Sequence, residues 1–172
     1  MGSIPTLATM AIVYKEGDVL KSHERIIVHG CNCFNTMGSG IAKQIRAQYP
    51  EAYEADQETT KGDRGKLGRF TGIVDEENDV VIINAYTQYR YGRDPGTVYL
   101  DYDALERAIT QVFGLGSEFV SLFGESPIAM PKIGCGLANG DWERVSEILE
   151  RLSERHGRDI HVYELTTQVY EP

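Results

Sequence analysis

Short runs of apolar, β-branched residues alternate along this chain with stretches of helical periodicity, and few folds accommodate that order. The runs have the length of buried strands and lie at Ala11 to Tyr14, Ile26 to Val28, Val80 to Ile83, Ile128 to Met130 and Ile160 to Val162, with a weaker one from Arg69 to Val74. The alternation predicts an α/β fold in which helices cover a mixed, largely parallel sheet.

The segments between these strands carry apolar stripes with the spacing of amphipathic helices. Two stripes follow i, i+3, i+4 and i+7, with Leu105, Ala108, Ile109 and Val112 in one and Val145, Ile148, Leu149 and Leu152 in the other. Ile41 to Ile45 predicts a helix that ends near Tyr49–Pro50, and a short helix is predicted from Glu51 to Glu58. The stretch from Gly114 to Ser126, rich in Gly and Ser, is predicted to be a connecting loop.

Length, charge and cysteine content narrow the class of protein. The 172 residues suit one domain, which we expect to span residues 1–172. A net charge of −9 disfavours broad nucleic-acid binding, but backbone N–H groups at a helix start can still hold a small anion. No apolar run approaches the ~20 residues of a membrane span. Three cysteines do not suggest a disulfide framework, so we expect the protein to be in the reducing cytoplasm. We also expect a monomer with no membrane partner.

One glycine-rich segment, Val28 to Ala42, runs from a predicted strand through a polar turn into a predicted helix. Gly38 and Gly40 lack side chains where a backbone must turn tightly or approach a ligand. The N-terminal N–H groups of the helix would point at that space, and a diphosphate would suit it. Because Gly-x-Gly often precedes a helix, a plain strand–helix turn is the alternative.

A second segment of the same kind runs from Met130 to Trp142 and contains Gly134, Gly136 and Gly140. It also follows a predicted strand and precedes a predicted helix. In open α/β sheets, loops at the carboxyl ends of strands line the ligand crevice. Two such loops could therefore hold one diphosphate from both sides.

The residues of these loops resemble those of the macrodomain superfamily. The matching motifs are His-Gly-Cys-Asn-Cys (29–33), Met-Gly-Ser-Gly-Ile-Ala (37–42), Pro-Lys-Ile-Gly-Cys-Gly-Leu (131–137) and Asp-Trp-Glu (141–143). The chain resembles in particular the fungal-type ADP-ribose 1''-phosphate phosphatases and the related terminal ADP-ribose glycohydrolases, and phage-encoded relatives are similar. The resemblance covers nearly the whole chain, because it extends to Gly17-Asp18-Val19, Asn84-Ala85-Tyr86-Thr87 and Val162-Tyr163-Glu164-Leu165.

The resemblance implies a three-layer α/β/α fold with a surface cleft for ADP-ribose or ADP-ribose 1''-phosphate, and we expect no cofactor. Asp18 with Val19 would contact the adenine, and Asn32 would lie beside the distal ribose. The predicted ligand-binding residues are Asp18, Val19, Cys31, Gly38, Ser39, Gly40, Ile41, Thr87, Gln88, Gly134, Cys135, Gly136 and Leu137.

Three side chains are candidates for catalysis: His29, Asn32 and Asp141. The resemblance implies that His29 is a general acid or base, whereas the alternative is a buried imidazole bonded to a backbone carbonyl. Asn32 could bind ribose hydroxyls or serve only as a turn residue. Asp141 precedes the last predicted helix, so it could be catalytic, an N-cap, or both.

Two further groups of residues have both a functional and a structural interpretation. Cys31, Cys33 and Cys135 with His29 would be acceptable zinc ligands. However, the Cys-x-Cys spacing without a second chelating pair favours thiols that pack in loops, and we predict no metal. The polar and aromatic segment Thr87 to Asp94 is either a rim of the cleft or a solvated loop.

Departures from the family pattern separate the functional hypotheses. The glycohydrolase branch carries a lysine in the loop after the Asn84–Tyr86 strand and an aspartate directly after Gly-Cys-Gly-Leu. This chain has no lysine from Thr87 to Asp94, and it has Ala138 at the second position. The first hypothesis is therefore a phosphatase that converts ADP-ribose 1''-phosphate to ADP-ribose and phosphate. The alternatives are a hydrolase that removes ADP-ribose from modified protein or nucleic acid, and a non-catalytic ADP-ribose reader.

Overall fold

A computed structural model of the protein describes residues 12–115 and 126–165. Its strands are β1 (Ile12–Glu16), β2 (Ile26–Cys31), β3 (Phe70–Asp75), β4 (Val80–Tyr86), β5 (Ile128–Pro131) and β6 (Ile160–Glu164). Its α-helices are α1 (Gly40–Gln48), α2 (Pro50–Gln57), α3 (Tyr102–Phe113) and α4 (Trp142–His156). Short 3-10 turns occupy Val19–Lys21 and Arg64–Lys66. Ala11 of the first predicted strand and most of the loop predicted over Gly114 to Ser126 lie outside the described residues.

The six strands form one sheet in the order β1-β6-β5-β2-β4-β3. Every neighbouring pair is parallel except β3 with β4, which are antiparallel and joined by a tight turn that ends at Asp79, where φ is 56°. The mixed, largely parallel sheet predicted from the sequence is therefore confirmed. Because five strands run the same way, the loops that follow β2, β4 and β5 meet at one edge of the sheet.

Helices cover the sheet on both faces. Helices α3 and α4 pack on one face through residues such as Leu105 and Leu149, and α1 and α2 pack on the other through Ile45 and Ala52. Every residue of the interior strand β4 is buried, as expected for a strand with both faces of the sheet covered. The three-layer α/β/α fold is confirmed. In the described ranges, no helix combines the length and apolar character required to cross a bilayer.

Candidate functional site

A cleft of about 680 Å³ opens at the carboxyl edge of the sheet, between the loops that follow β2, β4 and β5. This volume is typical of sites for small molecules and cofactors. The residues that line it are Gly30, Cys31, Asn32, Thr36, Met37, Gly38, Ser39, Gly40, Ile41, Ala42, Gln88, Tyr91, Gly92, Arg93, Pro131, Lys132, Ile133, Gly134, Gly136, Leu137 and Ala138. The structure thus brings the two predicted glycine loops together around one space.

The loop after β2, which we call the first loop (residues 32–39), presents the start of α1 to the cleft. Asn32 holds the turn, since its Oδ1 accepts from the Phe34 N–H at 2.7 Å and its Nδ2 donates to Thr36 Oγ1 at 2.8 Å. Ser39 is the N-cap of α1, but its side chain makes no capping hydrogen bond. The N–H groups of the first helical turn are therefore available to an anion in the cleft.

The loop after β5, the second loop (residues 132–140), presents further backbone donors. It is closed by the bond from Gly140 N to Gly134 O at 2.8 Å, and Gly134 has a φ of 77°, which favours glycine. Within the described part of the chain, the N–H groups of Gly136, Leu137 and Ala138 donate to no backbone carbonyl. A Cβ on Gly136 would meet no atom within 4 Å, so this stretch faces open space. Cys135 is outside the lining and packs against the core.

The segment after β4 forms the rim of the cleft. Gln88, Tyr91 and Arg93 line the cleft, in agreement with the rim interpretation of this segment rather than the solvated-loop interpretation. Thr87, which was predicted to bind ligand, is fully buried and lies outside the lining. Its hydroxyl lies 2.7 Å from the position that a Cβ of Gly30 would occupy, so a side chain at residue 30 would force Thr87 to shift.

The charged groups in the cleft wall are cationic. Arg93 and Lys132 line the cleft, and the described lining includes no Asp, Glu or His. Lys132 also pairs with Glu164 across 2.7 Å. Burial raises the pKa of the Cys31 thiol well above its ordinary value, so this cysteine stays protonated. The wall therefore offers hydrogen-bond donors and positive charge to an anion, without a carboxylate or imidazole for proton transfer.

His29 lies beneath the cleft and outside its lining. The side chain is fully buried, and its Nε2 atom lies 2.7 Å from Oδ1 of Asn84. Burial lowers the pKa of the imidazole from 6.5 to about 4, against the opposing effect of the Asn84 bond. The enclosed position argues against the predicted proton-transfer role. It agrees with the alternative of a buried histidine, although the partner is a side chain and not a backbone carbonyl.

A line of buried hydrogen bonds continues from His29 to α2. Asn84 Nδ2 donates to Thr71 Oγ1 at 3.1 Å, and Thr71 Oγ1 lies 3.0 Å from the Tyr86 hydroxyl. The Tyr86 hydroxyl in turn donates to Asp56 Oδ1 at 2.7 Å. Since the Tyr86 hydroxyl donates its one proton to Asp56, the Thr71 hydroxyl donates to the Tyr86 oxygen. These bonds satisfy polar groups that would otherwise be costly to bury.

The remaining predicted residues lie at the edge of the site or away from it. Asp141 caps α4, with its Oδ1 accepting from the Glu143 N–H at 3.1 Å, and it is outside the cleft lining. The N-cap interpretation of Asp141 is therefore correct. Asp18 caps the 3-10 turn that follows β1 and lines a separate depression, while the Val19 side chain is buried. The structure does not bring Asp18 and Val19 into the cleft described above.

The thiols do not converge on a metal site. Cys33 Sγ donates to the Gln88 carbonyl at 3.6 Å, and Cys31 Sγ lies 3.6 Å from His29 Nε2. Across the described ranges, no three His, Cys, Asp or Glu side chains are placed to share an ion. This arrangement agrees with thiols that pack in loops.

Sequence reasoning missed several lining residues. Thr36, Met37 and Ala42 flank predicted ligand residues, and Lys132 and Ile133 belong to a quoted motif without having been assigned a role. Their position in loops at strand ends was the available signal. Sequence reasoning also missed the hydrogen bond between Lys66, which is buried, and Asn35, a partly buried residue of the first loop.

Comparisons with known proteins agree with this architecture. The Macro domain family model matches residues 28–149, which include both glycine loops. A 17.5 kDa protein of Enterobacteria phage T4 is 33% identical over 151 residues, which cover 85% of this chain and 92% of the phage protein. The ADP-ribose 1''-phosphate phosphatase of Saccharomyces cerevisiae is 28% identical, with 83% of this chain and 93% of that protein covered.

Two longer proteins share the same region. The DNA ADP-ribosyl glycohydrolase of Mycobacterium tuberculosis is 28% identical over 80% of this chain, which spans only 37% of the glycohydrolase. The structure of Thermosipho africanus DarTG in complex with ADP-ribose superposes with a TM-score of 0.73 at 19% identity, over 95% of this chain and 44% of that one. At that identity the likeness shows a shared fold.

Proposed function

Because the chain belongs to the Macro domain family, we propose that its cleft binds ADP-ribose and that it hydrolyses ADP-ribose 1''-phosphate to ADP-ribose and inorganic phosphate. The observation that carries the proposal is the convergence of two glycine loops on one cleft, each with lining residues whose backbone N–H groups have no backbone acceptor among the described residues. A diphosphate would lie between these loops, as anions do at helix starts.

Asn32 would set the orientation of the distal ribose. It lines the cleft, and its Oδ1 and Nδ2 atoms each make one hydrogen bond inside the first loop. An amide side chain has two donors and two acceptor positions. One donor and one acceptor position are left for ribose hydroxyls, while the loop bonds keep the side chain in place.

The charges of the cleft wall favour phosphoryl transfer over glycoside cleavage. Hydrolysis of a phosphate monoester depends mainly on positioning and on stabilising charge at the phosphoryl oxygens. Arg93, Lys132 and the loop N–H groups supply that charge. Glycoside hydrolysis ordinarily uses a pair of carboxylates, and none of the described lining residues is Asp or Glu. The yeast phosphatase also matches this chain over 93% of its own length.

In the proposed reaction, water attacks the terminal phosphorus while the bond from phosphorus to the 1'' oxygen breaks. The proton that the water loses ends on the released 1''-hydroxyl of ADP-ribose. Since His29 and Asp141 are outside the cleft lining, the acceleration would come from orientation and fixed dipoles. We therefore expect slower turnover than a site with a general acid or base would give.

The same observation favours a second candidate, a reader that binds ADP-ribose without chemistry. One experiment separates the candidates: incubate the protein in parallel with ADP-ribose 1''-phosphate, ADP-ribosylated protein and ADP-ribosylated DNA. Phosphate release from the first substrate alone supports the proposal. Release of ADP-ribose from either polymer overturns it in favour of a glycohydrolase, and tight binding without any product overturns it in favour of a reader.

A further inference from the structure

One asparagine ties the first loop to α2. Asn35 has a φ of 58°, a left-handed conformation that is unfavourable for most residues other than glycine. Its Nδ2 donates to the carbonyls of Asp56 at 3.2 Å and Thr59 at 2.9 Å, and its own carbonyl accepts from Gln57 Nε2 at 2.7 Å. Three bonds therefore join this loop residue to the carboxyl end of α2.

A buried ammonium completes the arrangement. Lys66 is only 7% exposed, and its Nζ donates to Asn35 Oδ1 at 2.6 Å and to Thr59 Oγ1 at 2.8 Å. The same nitrogen lies 5.2 Å from the centre of the Tyr86 ring, within range of a cation–π contact. A buried charge is costly unless it is bonded in this way, and here one bond goes to the first loop and the other to a residue that follows α2.

The loop that these bonds hold is a wall of the cleft. Asn32, Thr36 and Met37 line the cleft, whereas Asn35 and Lys66 are outside the lining. Met37 is also left-handed, with a φ of 40°. Two such residues in one short loop persist only where the surrounding structure determines their conformation.

We propose that Lys66 and Asn35 are positioning residues that keep the first loop in its ligand-binding shape before the ligand arrives. A preformed loop loses little conformational freedom on binding, and affinity is higher for that reason. The inference deepens the proposed function and rests on it, since the ligand concerned is ADP-ribose. It assigns a role in binding to a lysine that lies outside the cleft lining.

The test compares two substitutions in the same buried cluster. Lys66→Met removes the ammonium and keeps most of the apolar stem, so the first loop loses its charged donor. Tyr86→Phe removes a hydroxyl that bonds Asp56 and Thr71, but it removes none of the direct hydrogen bonds of Asn35 and Lys66 and keeps the aromatic ring beside Lys66. The dissociation constant for ADP-ribose should rise about tenfold or more in Lys66→Met, the effect of one lost charge-assisted hydrogen bond. Tyr86→Phe should bind like the parent.

A second measurement needs no ligand. The Cys33 N–H donates to the Tyr89 carbonyl at 2.9 Å, and the Phe34 N–H donates to Asn32 Oδ1. Hydrogen exchange at these two amides should become faster in Lys66→Met and stay unchanged in Tyr86→Phe. If Lys66→Met does not fold, Asn35→Gly replaces it, because glycine accepts the left-handed backbone but removes the side-chain bonds.

The outcomes are distinct. Parent-like affinity and parent-like exchange in the folded Lys66→Met protein overturn the inference, and so does an equal loss in Tyr86→Phe. If the parent protein does not bind ADP-ribose at all, the proposed function fails. The exchange rates then still decide whether Lys66 and Asn35 hold the loop.

Discussion

The imidazole of His29 donates from Nε2 to Oδ1 of Asn84 across 2.7 Å, and this bond fixes its tautomer. The orientation of Asn84 is unambiguous, because its Nδ2 lies 3.0 Å from the Ala52 carbonyl, which can only accept. The Asn84 oxygen therefore faces the imidazole, and the proton is on Nε2. Nδ1 is left as an acceptor, 3.8 Å from Cys31 Sγ. The neutral imidazole of His29 thus lies between Asn84 in the core and Cys31 in the cleft wall.

Removing the imidazole should affect stability more than chemistry. His29→Ala leaves a cavity and an unpaired Asn84 oxygen, and we expect a loss of about 2–4 kcal/mol in the free energy of unfolding. Phosphate release per folded molecule should change less than tenfold, well below the ~10²–10⁴-fold expected of a general acid or base. Urea denaturation and phosphate release on the same sample measure both quantities. A fall of that larger size, with the fold intact, would restore the proton-transfer role.

The buried imidazole should also make stability depend on pH. The pKa of His29 is lowered from 6.5 to about 4 in the folded protein, so between these values the unfolded chain binds more protons than the folded one. The free energy of unfolding should therefore fall as pH drops through this window, by about 2 kcal/mol from pH 7 to pH 5. In His29→Gln, which keeps an N–H donor but does not titrate, this part of the pH dependence should disappear. If the free energy of unfolding depended on pH equally in the two proteins, the pKa of His29 would not be lowered in the folded state.

A side chain on Gly136 should block the cleft without disturbing the fold. Because an added Cβ meets nothing within 4 Å, Gly136→Glu should keep the parent melting temperature. It should lower ADP-ribose affinity by about tenfold or more, since the carboxylate would occupy the diphosphate site and repel the phosphates of the ligand. Gly96→Glu is the matched control, with the same change of charge at a loop glycine outside the cleft lining. Equal affinities of the two variants would place the diphosphate elsewhere.

Asp141 should behave as a cap. Asp141→Ala removes the acceptor of the Glu143 N–H, and Asp101→Ala removes the equivalent acceptor of the Ala104 N–H at the start of α3. Each should cost about 0.5–2 kcal/mol of stability. Both should leave phosphate release per folded molecule unchanged. A selective loss of turnover in Asp141→Ala would mean that the carboxylate reaches the substrate.

The sequence predicted those parts of the molecule that depend on local patterns. Apolar runs and helical stripes located the strands and helices, and Gly38 and Gly134 marked the loops that meet at the cleft. The side-chain environments were not predictable in the same way. His29 ends an apolar run, but its burial depends on tertiary packing, and its partner Asn84 lies 55 positions away. Lys66 and Asn35 are 31 positions apart, and no local pattern links them.

Whether the cleft binds ADP-ribose is decided by titrating the parent protein with ADP-ribose in a calorimeter. We expect saturable binding of one ADP-ribose per chain and a rise in melting temperature with ligand concentration, because a ligand selective for the folded state stabilises it. Gly136→Glu in the same titration should show the binding lost or strongly weakened. The absence of both heat and a melting shift at millimolar ADP-ribose would contradict the assignment of the cleft.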